Sequence, residues 1–353
     1  MAPTIAPIVI YILSFFTPFI ITLVGLPLHI RLMHKRGISG VDVHKKEKPK
    51  VAERGGIVIL IAIVLSSVFM IILINDPELR LSIGIFCITV TIAGLIGLAD
   101  DIFNLSALLK PFLLLFASIP IIASKRYKPE PILPFIGKTR LTIAYIILLP
   151  FIIAVPANSV NMLDVFNGSM ATTTIIVLIA ILFSNLIIFG NGLDPLNDAG
   201  LSDSGLTYIF ILILVGTILA FWIFNKYPAK VFGGDTGSLA IGGALGAIAV
   251  MGRLEVVVII AMIPFIMNAF GIIGSVKGLL ERREMARPTK MTKDWKIEST
   301  RDRKAPITLV GLVIQKEPLH EKDVVKTFNV LTIVSAILAI VIAVLTNLSG
   351  VVS

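Results

Sequence analysis

One cysteine, two tryptophans and four histidines are spread over 353 residues, and only 15% of the chain is charged. A lone Cys87 excludes an intrachain disulfide and any multi-cysteine metal centre. His29, His34, His44 and His320 have no metal-ligand spacing, so histidine is assigned no role. The scarcity of charge is matched by an excess of apolar residues, 56% of the chain, and a mean hydropathy of +0.96. There is no low-complexity stretch and no clear internal repeat.

A bilayer core needs about 20 apolar residues per helix. Runs of that kind recur at 8–29, 57–75, 80–98, 107–124, 141–157, 170–190, 205–224, 238–251, 254–276 and 325–348. The first run has no basic stretch before it and no small-residue cleavage site after it, so it is expected to be a retained span. With ten spans, one side of the membrane receives 30–56, 99–106, 158–169, 225–237 and 277–324. Counted with Lys110 and Lys326, that side holds 24 of the 31 lysines and arginines. The positive-inside rule makes it cytoplasmic and puts both termini outside. The net charge of +9 is then topology bias, and nucleic-acid binding is excluded as a function. The expected fold is a single all-α integral membrane domain over 1–353, of about ten transmembrane helices, with a small cytoplasmic insert at 277–324 between the last two. Within that insert, Ile307 to Ile314 is too short to span and is expected as a strand or small packed element. The external PEPILPFIG stretch (129–137) is expected to be extended because of its three prolines.

Three polar interruptions fall on the cytoplasmic side. Asp100-Asp101 ends a span, and two adjacent carboxylates need water, a cation or a lysine to stay ionised. Lys110, nine residues after Asp101, is placed to supply that charge. In NSVNMLDVFNG (158–168), Asn161 and Asp164 share a helix face, and hard oxygen donors of this kind suit Mg²⁺. In FGGDTGS (232–238), glycines precede Asp235 at the start of a helix, where free N–H groups accommodate phosphate. Arg282, Arg283 and Arg287 cluster inside the ninth span, and arginine grips phosphate in a bidentate way. Taken singly, each motif has an ordinary structural role: a solvated turn, a helix cap, a topology signal. Their collection on one side points to a metal and phosphate site. A transporter, the rival from another class, would place ionisable groups near the midplane, and these spans are almost uncharged inside.

The order of these motifs resembles the polyprenyl-phosphate N-acetylhexosamine-1-phosphate transferases, over essentially the whole chain. Asp42-Val-His-Lys45 through Glu53-Arg-Gly-Gly56 is similar to the family's first cytoplasmic loop, and Asp100-Asp101 with Lys110 to its acidic pair and lysine. Asn161-x-x-Asp164-x-x-Asn167-Gly168 is similar to its asparagine and nucleotide motif, and Phe232-Gly-Gly-Asp235-Thr-Gly-Ser238 to its Phe-x-Gly-Asp-Thr signature. Arg282-Arg283-Glu284 is similar to the sugar-pyrophosphate loop of the dolichyl branch. Val165 stands where the family usually has glycine, and the histidine triplet of the muramyl-pentapeptide branch is missing. The resemblance implies a ten-helix bundle, commonly dimeric, that moves a sugar-1-phosphate from a UDP-sugar to a polyprenyl phosphate with Mg²⁺, Mn²⁺ being able to substitute. It favours UDP-N-acetylglucosamine and a dolichyl-type acceptor over a muramyl-peptide substrate, with another UDP-amino sugar as the alternative. It also implies roles. Asn161 and Asp235 would hold the metal. Glu53, Asn167, Gly168, Phe232 and the Val41–Val43 backbone would contact the nucleoside, with Asp164 beside them. Arg282, Arg283 and Glu284 would bind the sugar-pyrophosphate, and Lys110 the lipid phosphate. Asp100 and Asp101 would mainly position Lys110 and water. A compact chain without retention signals favours a prokaryotic plasma membrane over the endoplasmic reticulum.

Overall fold

A computed structural model of the chain describes residues 7–190, 203–276, 278 and 285–349. It is almost wholly helical, with three two-stranded hairpins in the connections. Among the described residues, eight helices are long and apolar enough to cross a bilayer: α1 (Pro7–Lys35), α2 (Gly56–Leu73), α3 (Pro77–Phe103), α6 (Thr142–Leu163), α7 (Ser169–Phe189), α8 (Asp203–Asn225), α9 (Gly234–Met251) and α13 (Glu321–Leu348). They bear out eight of the ten expected spans.

The other two expected spans are irregular. The run at 107–124 forms α4 (Leu109–Leu115), a 3₁₀ turn (Phe116–Ser118) and α5 (Ile119–Ser124), shorter together than the long spans. Pro120, with no N–H to donate, sits at the start of α5. The run at 254–276 forms α10 (Glu255–Ala261) and α11 (Ile263–Ser275), bent by 70° at Met262 with Pro264 at the start of the second helix. A proline in that position fits a helix start and cannot continue a preceding ladder.

Helix α9 is the hub of the bundle, packed against α2, α3 and α6 and buried along nearly its whole length. Half of its sequence, GDTGSLAIGGALGAIAVM, is glycine and alanine, and small residues let membrane helices approach backbone to backbone. The approach is closest at its polar end. A Cβ on Gly97 of α3 would meet the Asp235 carbonyl and lie 2.7 Å from Thr236 Cα. One on Gly56 of α2 would lie 2.6 Å from Gly237 Cα.

The connections follow the composition. PEPILPFIG carries the hairpin β3 (Ile132–Leu133) with β4 (Gly137–Lys138), extended as expected. In the insert, β5 (Thr289–Met291) pairs with β6 (Ile297–Ser299), and the apolar stretch at 307–314 is a short helix, α12 (Leu309–Val313). Thr308 caps that helix through Gly311 N–H, and Asn268 of α11 accepts the Leu309 N–H at 2.8 Å. The first connection forms β1 (Ser39–Val41) with β2 (Lys50–Ala52).

Candidate active site

The ends of α3, α6 and α9 and the start of α4 meet at one point. Lys110 of α4 donates to Asp100 Oδ2 at 2.7 Å, to Asn161 Oδ1 at 3.2 Å and to Asp235 Oδ2. Three oxygens from three helices therefore surround one ammonium group, in side chains that are mostly buried (Lys110 18%, Asp100 13% and Asp235 28% exposed). The Asn161 amide is oriented by its other end, where Nδ2 donates to Asp235 Oδ1 and Ser238 Oγ, each at 2.8 Å. Asp100 Oδ1 is occupied by the Leu105 N–H, which locks the turn after α3.

Asp101 points a different way from its neighbour. Its Oδ1 accepts Asp235 N–H at 2.8 Å, and its Oδ2 accepts Thr236 N–H at 3.0 Å and Thr236 Oγ1 at 2.6 Å. It is thus an N-terminal cap for α9 supplied from another helix, meeting orphan donors that Gly233 cannot cap with a side chain. Gly234 makes room for it: φ is +70°, and a Cβ there would lie 2.9 Å from Asp101 Oδ2. Arg54 Nη2 donates to the Asp101 carbonyl at 2.9 Å and ties the end of α3 to the first connection.

The FGG segment is bound to that connection as a strand-like strip. Phe232 N–H donates to Ala52, Gly55 N–H to Phe232 and Gly56 N–H to Gly233, at 2.7–2.8 Å. Glu53 and Phe232 meet over Gly40, where a Cβ would lie 2.6 Å from Glu53 Oε1 and 3.4 Å from Phe232 Cε2. Val41 and Val43 are exposed beside them, 49% and 53%. Asp164 caps the end of α6, and its Oδ2 lies 3.4 Å from where a Cβ on Gly233 would sit. Burial, helped by the Asp235 charge, pushes Asp164 up to about 7.

Asn167 and Gly168 turn the chain between α6 and α7. The Asn167 amide donates to Asp42 Oδ2 at 2.9 Å, and Asp42 also pairs with Lys45. Burial pushes the Asp42 carboxyl up, yet its bonds to Lys45, Asn167 and the His44 N–H outweigh that and hold it below the usual carboxylate range. Asn167 N–H donates to Glu321 and Gly168 N–H to Asn225.

The structure thus joins Asp100, Lys110, Asn161 and Asp235 directly, sets Asp101 behind them, seats Glu53 and Phe232 on connections bonded to the same helix ends, and places Asp164, Asn167 and Gly168 in the turn that follows α6. Arg282, Arg283 and Glu284 lie outside the described residues. Among the described residues no three His, Cys, Asp or Glu side chains gather as a metal site. A metal at this end would find one carboxylate, Asp235, and one amide, Asn161, and take its remaining oxygens from ligand and water. Sequence reasoning missed Asn225 and Glu321. Each stands at a helix end, where an amide or acid is ordinary, and no spacing marks it out.

Comparison with known proteins is consistent with this geometry. The profile of glycosyl transferase family 4 matches residues 82–253, the stretch that carries Asp100, Asp101, Lys110, Asn161, Asp164 and Asp235. A Sulfolobus acidocaldarius protein, provisionally named a UDP-N-acetylglucosamine–dolichyl-phosphate N-acetylglucosaminephosphotransferase, is 34% identical over 236 residues, 65% of this chain and 67% of that one. A provisionally named glycosyltransferase of Methanocaldococcus jannaschii is 29% identical over 340 residues, 94% of this chain and 98% of its own. The phospho-N-acetylmuramoyl-pentapeptide-transferase of Clostridium novyi is 30% identical over 249 residues, 65% of this chain and 70% of its own. With its motifs gathered at one end of a membrane bundle, the chain belongs to glycosyl transferase family 4 and is an integral membrane transferase.

Proposed function

We propose that the protein transfers N-acetylglucosamine-1-phosphate from UDP-N-acetylglucosamine to a dolichyl-type polyprenyl phosphate and releases UMP. The observation that carries this reading is the convergence of Asp100, Asn161 and Asp235 on one cation at the helix ends. The names of the Sulfolobus and Clostridium relatives support a sugar-1-phosphate moved to a polyprenyl carrier. The excess of lysine and arginine on that side favours a cytoplasmic site, with both termini outside a prokaryotic plasma membrane. A homodimer belongs to the same reading.

In the reaction, an oxygen of the lipid phosphate attacks the β-phosphorus of the donor. A new P–O bond forms there as the bond to the oxygen bridging toward the α-phosphate breaks, and UMP leaves with that electron pair. Asn161 and Asp235 would hold Mg²⁺, or Mn²⁺ in its place, which when bound neutralises charge on the pyrophosphate. The donor set suits such an ion: Mg²⁺ takes one or two protein oxygens and completes its shell with water and phosphate. Lys110 already sits among those oxygens as a resident cation. Were those oxygens to hold a metal ion, the Lys110 ammonium would be free to take the incoming lipid phosphate. Phe232 and Glu53, meeting over Gly40, form the nucleoside side with Asn167. Arg282 and Arg283 would hold the sugar-pyrophosphate.

No general base is required. A phosphate monoester loses its second proton near about pH 6, so the attacking group is largely dianionic at neutrality. Asp101, whose two oxygens both accept from α9, is a positioning residue for Asp235. Asp101→Asn should lower the rate, because its amide NH₂ then faces N–H and O–H donors, and leave the pH–rate profile flat from about pH 7 to about pH 9, above the phosphate's own pKa. Activity that climbs steeply with pH in this variant would mean that Asp101 removes a proton.

The donor is tested by incubating purified protein with polyprenyl phosphate, Mg²⁺ and a panel of UDP-sugars, following UMP. Release with UDP-N-acetylglucosamine above the other donors is expected. Release only with another UDP-amino sugar would move the assignment to that donor, and no release from folded protein would overturn it.

A further inference from the structure

Two backbone N–H groups at the α6–α7 corner lie outside any helix ladder, and each is captured by a buried side chain from a distant helix. Gly168 N–H donates at 3.1 Å to Asn225 Oδ1, the last residue of α8, whose Nδ2 donates at 2.9 Å to the Val231 carbonyl next to Phe232. Asn167 N–H donates at 2.8 Å to Oε1 of Glu321, the first residue of α13, which is only 4% exposed. Lys45 steadies that carboxylate, its Nζ 3.7 Å from Glu321 Oε2, while pairing with the Asp42 that receives the Asn167 amide.

A glutamate opening a helix ordinarily serves its own helix by sitting against the positive end of the dipole. Glu321 reaches instead across 154 residues to a backbone donor in another connection, and His320, the N-cap of α13, makes no side-chain cap. We propose that Glu321 is a positioning residue for the donor nucleotide. It fixes the Asn167 corner on the nucleotide side and ties it to the start of α13. The inference rests on the transferase reading above and adds a residue, and a link from that corner to α13, to it.

The test compares Glu321→Ala, Glu321→Asp and Glu321→Gln in the full-length protein. The readouts are KM for UDP-N-acetylglucosamine, KM for polyprenyl phosphate, kcat, UMP affinity by calorimetry, and Tm. Alanine leaves the Asn167 N–H buried and unpaired, and aspartate is one methylene too short to reach it. Both should raise the donor KM and the UMP Kd about tenfold, with the lipid KM within about twofold. Glutamine keeps the acceptor and should return donor KM to within about threefold of wild type. If Glu321→Ala does not fold, Glu321→Asp carries the same expectation. Unchanged donor KM and UMP affinity in a folded variant would overturn the proposal, as would an equal rise in both KM values accompanied by a fall in Tm. Those results leave the transferase reading standing if wild type still releases UMP. Wild-type protein that neither binds UMP nor releases it overturns both.

Discussion

Asp235→Ala is expected to reduce kcat/KM by about 10³-fold or more while the protein stays folded. The residue touches both groups that define the cation site, Lys110 through Oδ2 and Asn161 through Oδ1, and it opens the helix on which the bundle is built. Removing one preorganised electrostatic contact in a buried site typically costs about 10²–10³ in rate. Asp235 combines two such contacts with a share in any metal. Stability should change little, because Asp101 still caps α9 through the backbone N–H groups of residues 235 and 236, which alanine retains. Asn161→Ala should follow with a smaller loss, about 10²-fold, since Asp100 and Asp235 keep their hold on Lys110. Steady-state UMP release together with a thermal melt checks both variants. Activity within tenfold of wild type in a folded Asp235→Ala protein would remove the site from its place in the mechanism.

Gly97→Ala should be the most damaging substitution away from the charged groups. The Cα of residue 97 faces the first turn of α9, where any Cβ collides with the Asp235 carbonyl and approaches Thr236 Cα at 2.7 Å. Both obstacles are backbone, so relief requires α3 and α9 to part. Overpacking of this kind costs about 1–3 kcal/mol or more. Here the strain also displaces Asp101 and Asp235, four residues along α3 and at the contact itself. Loss of activity should therefore exceed what the fall in Tm alone explains. Gly84→Ala is the matched control on the same helix, with its nearest neighbour, Ile71 Cδ1, at 3.9 Å. It should be neutral or slightly stabilising, since alanine is the better helix former by about 1 kcal/mol. Equal effects at 97 and 84 would show that the close α3–α9 approach does not matter.

The sequence made the membrane helices legible because span length is set by bilayer thickness, which hydropathy measures directly. It showed less where proline interrupts an apolar run: Pro120 and Pro264 leave hydropathy intact while breaking the helices around them. At the site, residues that do chemistry with oxygen, charge or an aromatic face stood out against an oily background: Asp100, Lys110, Asn161, Asp235 and Phe232. Asp100 and Asp101 were legible as a pair but not as two different parts. Which carboxylate faces Lys110 and which turns to α9 depends on where α9 begins in space. Asn225 and Glu321 were not legible, since their partners are backbone N–H groups 57 and 154 residues away and a backbone donor leaves no trace in composition.

The most direct test of the account follows the β-phosphate. With UDP-N-acetylglucosamine carrying ³²P at the β-position, polyprenyl phosphate and Mg²⁺, sugar-1-phosphate transfer predicts label in the organic-extractable lipid, matched one for one by unlabelled UMP in the aqueous phase. Label that stays in the aqueous phase as UDP, while sugar appears on the lipid, would show attack at the sugar carbon rather than at phosphorus and would contradict the mechanism drawn from this site.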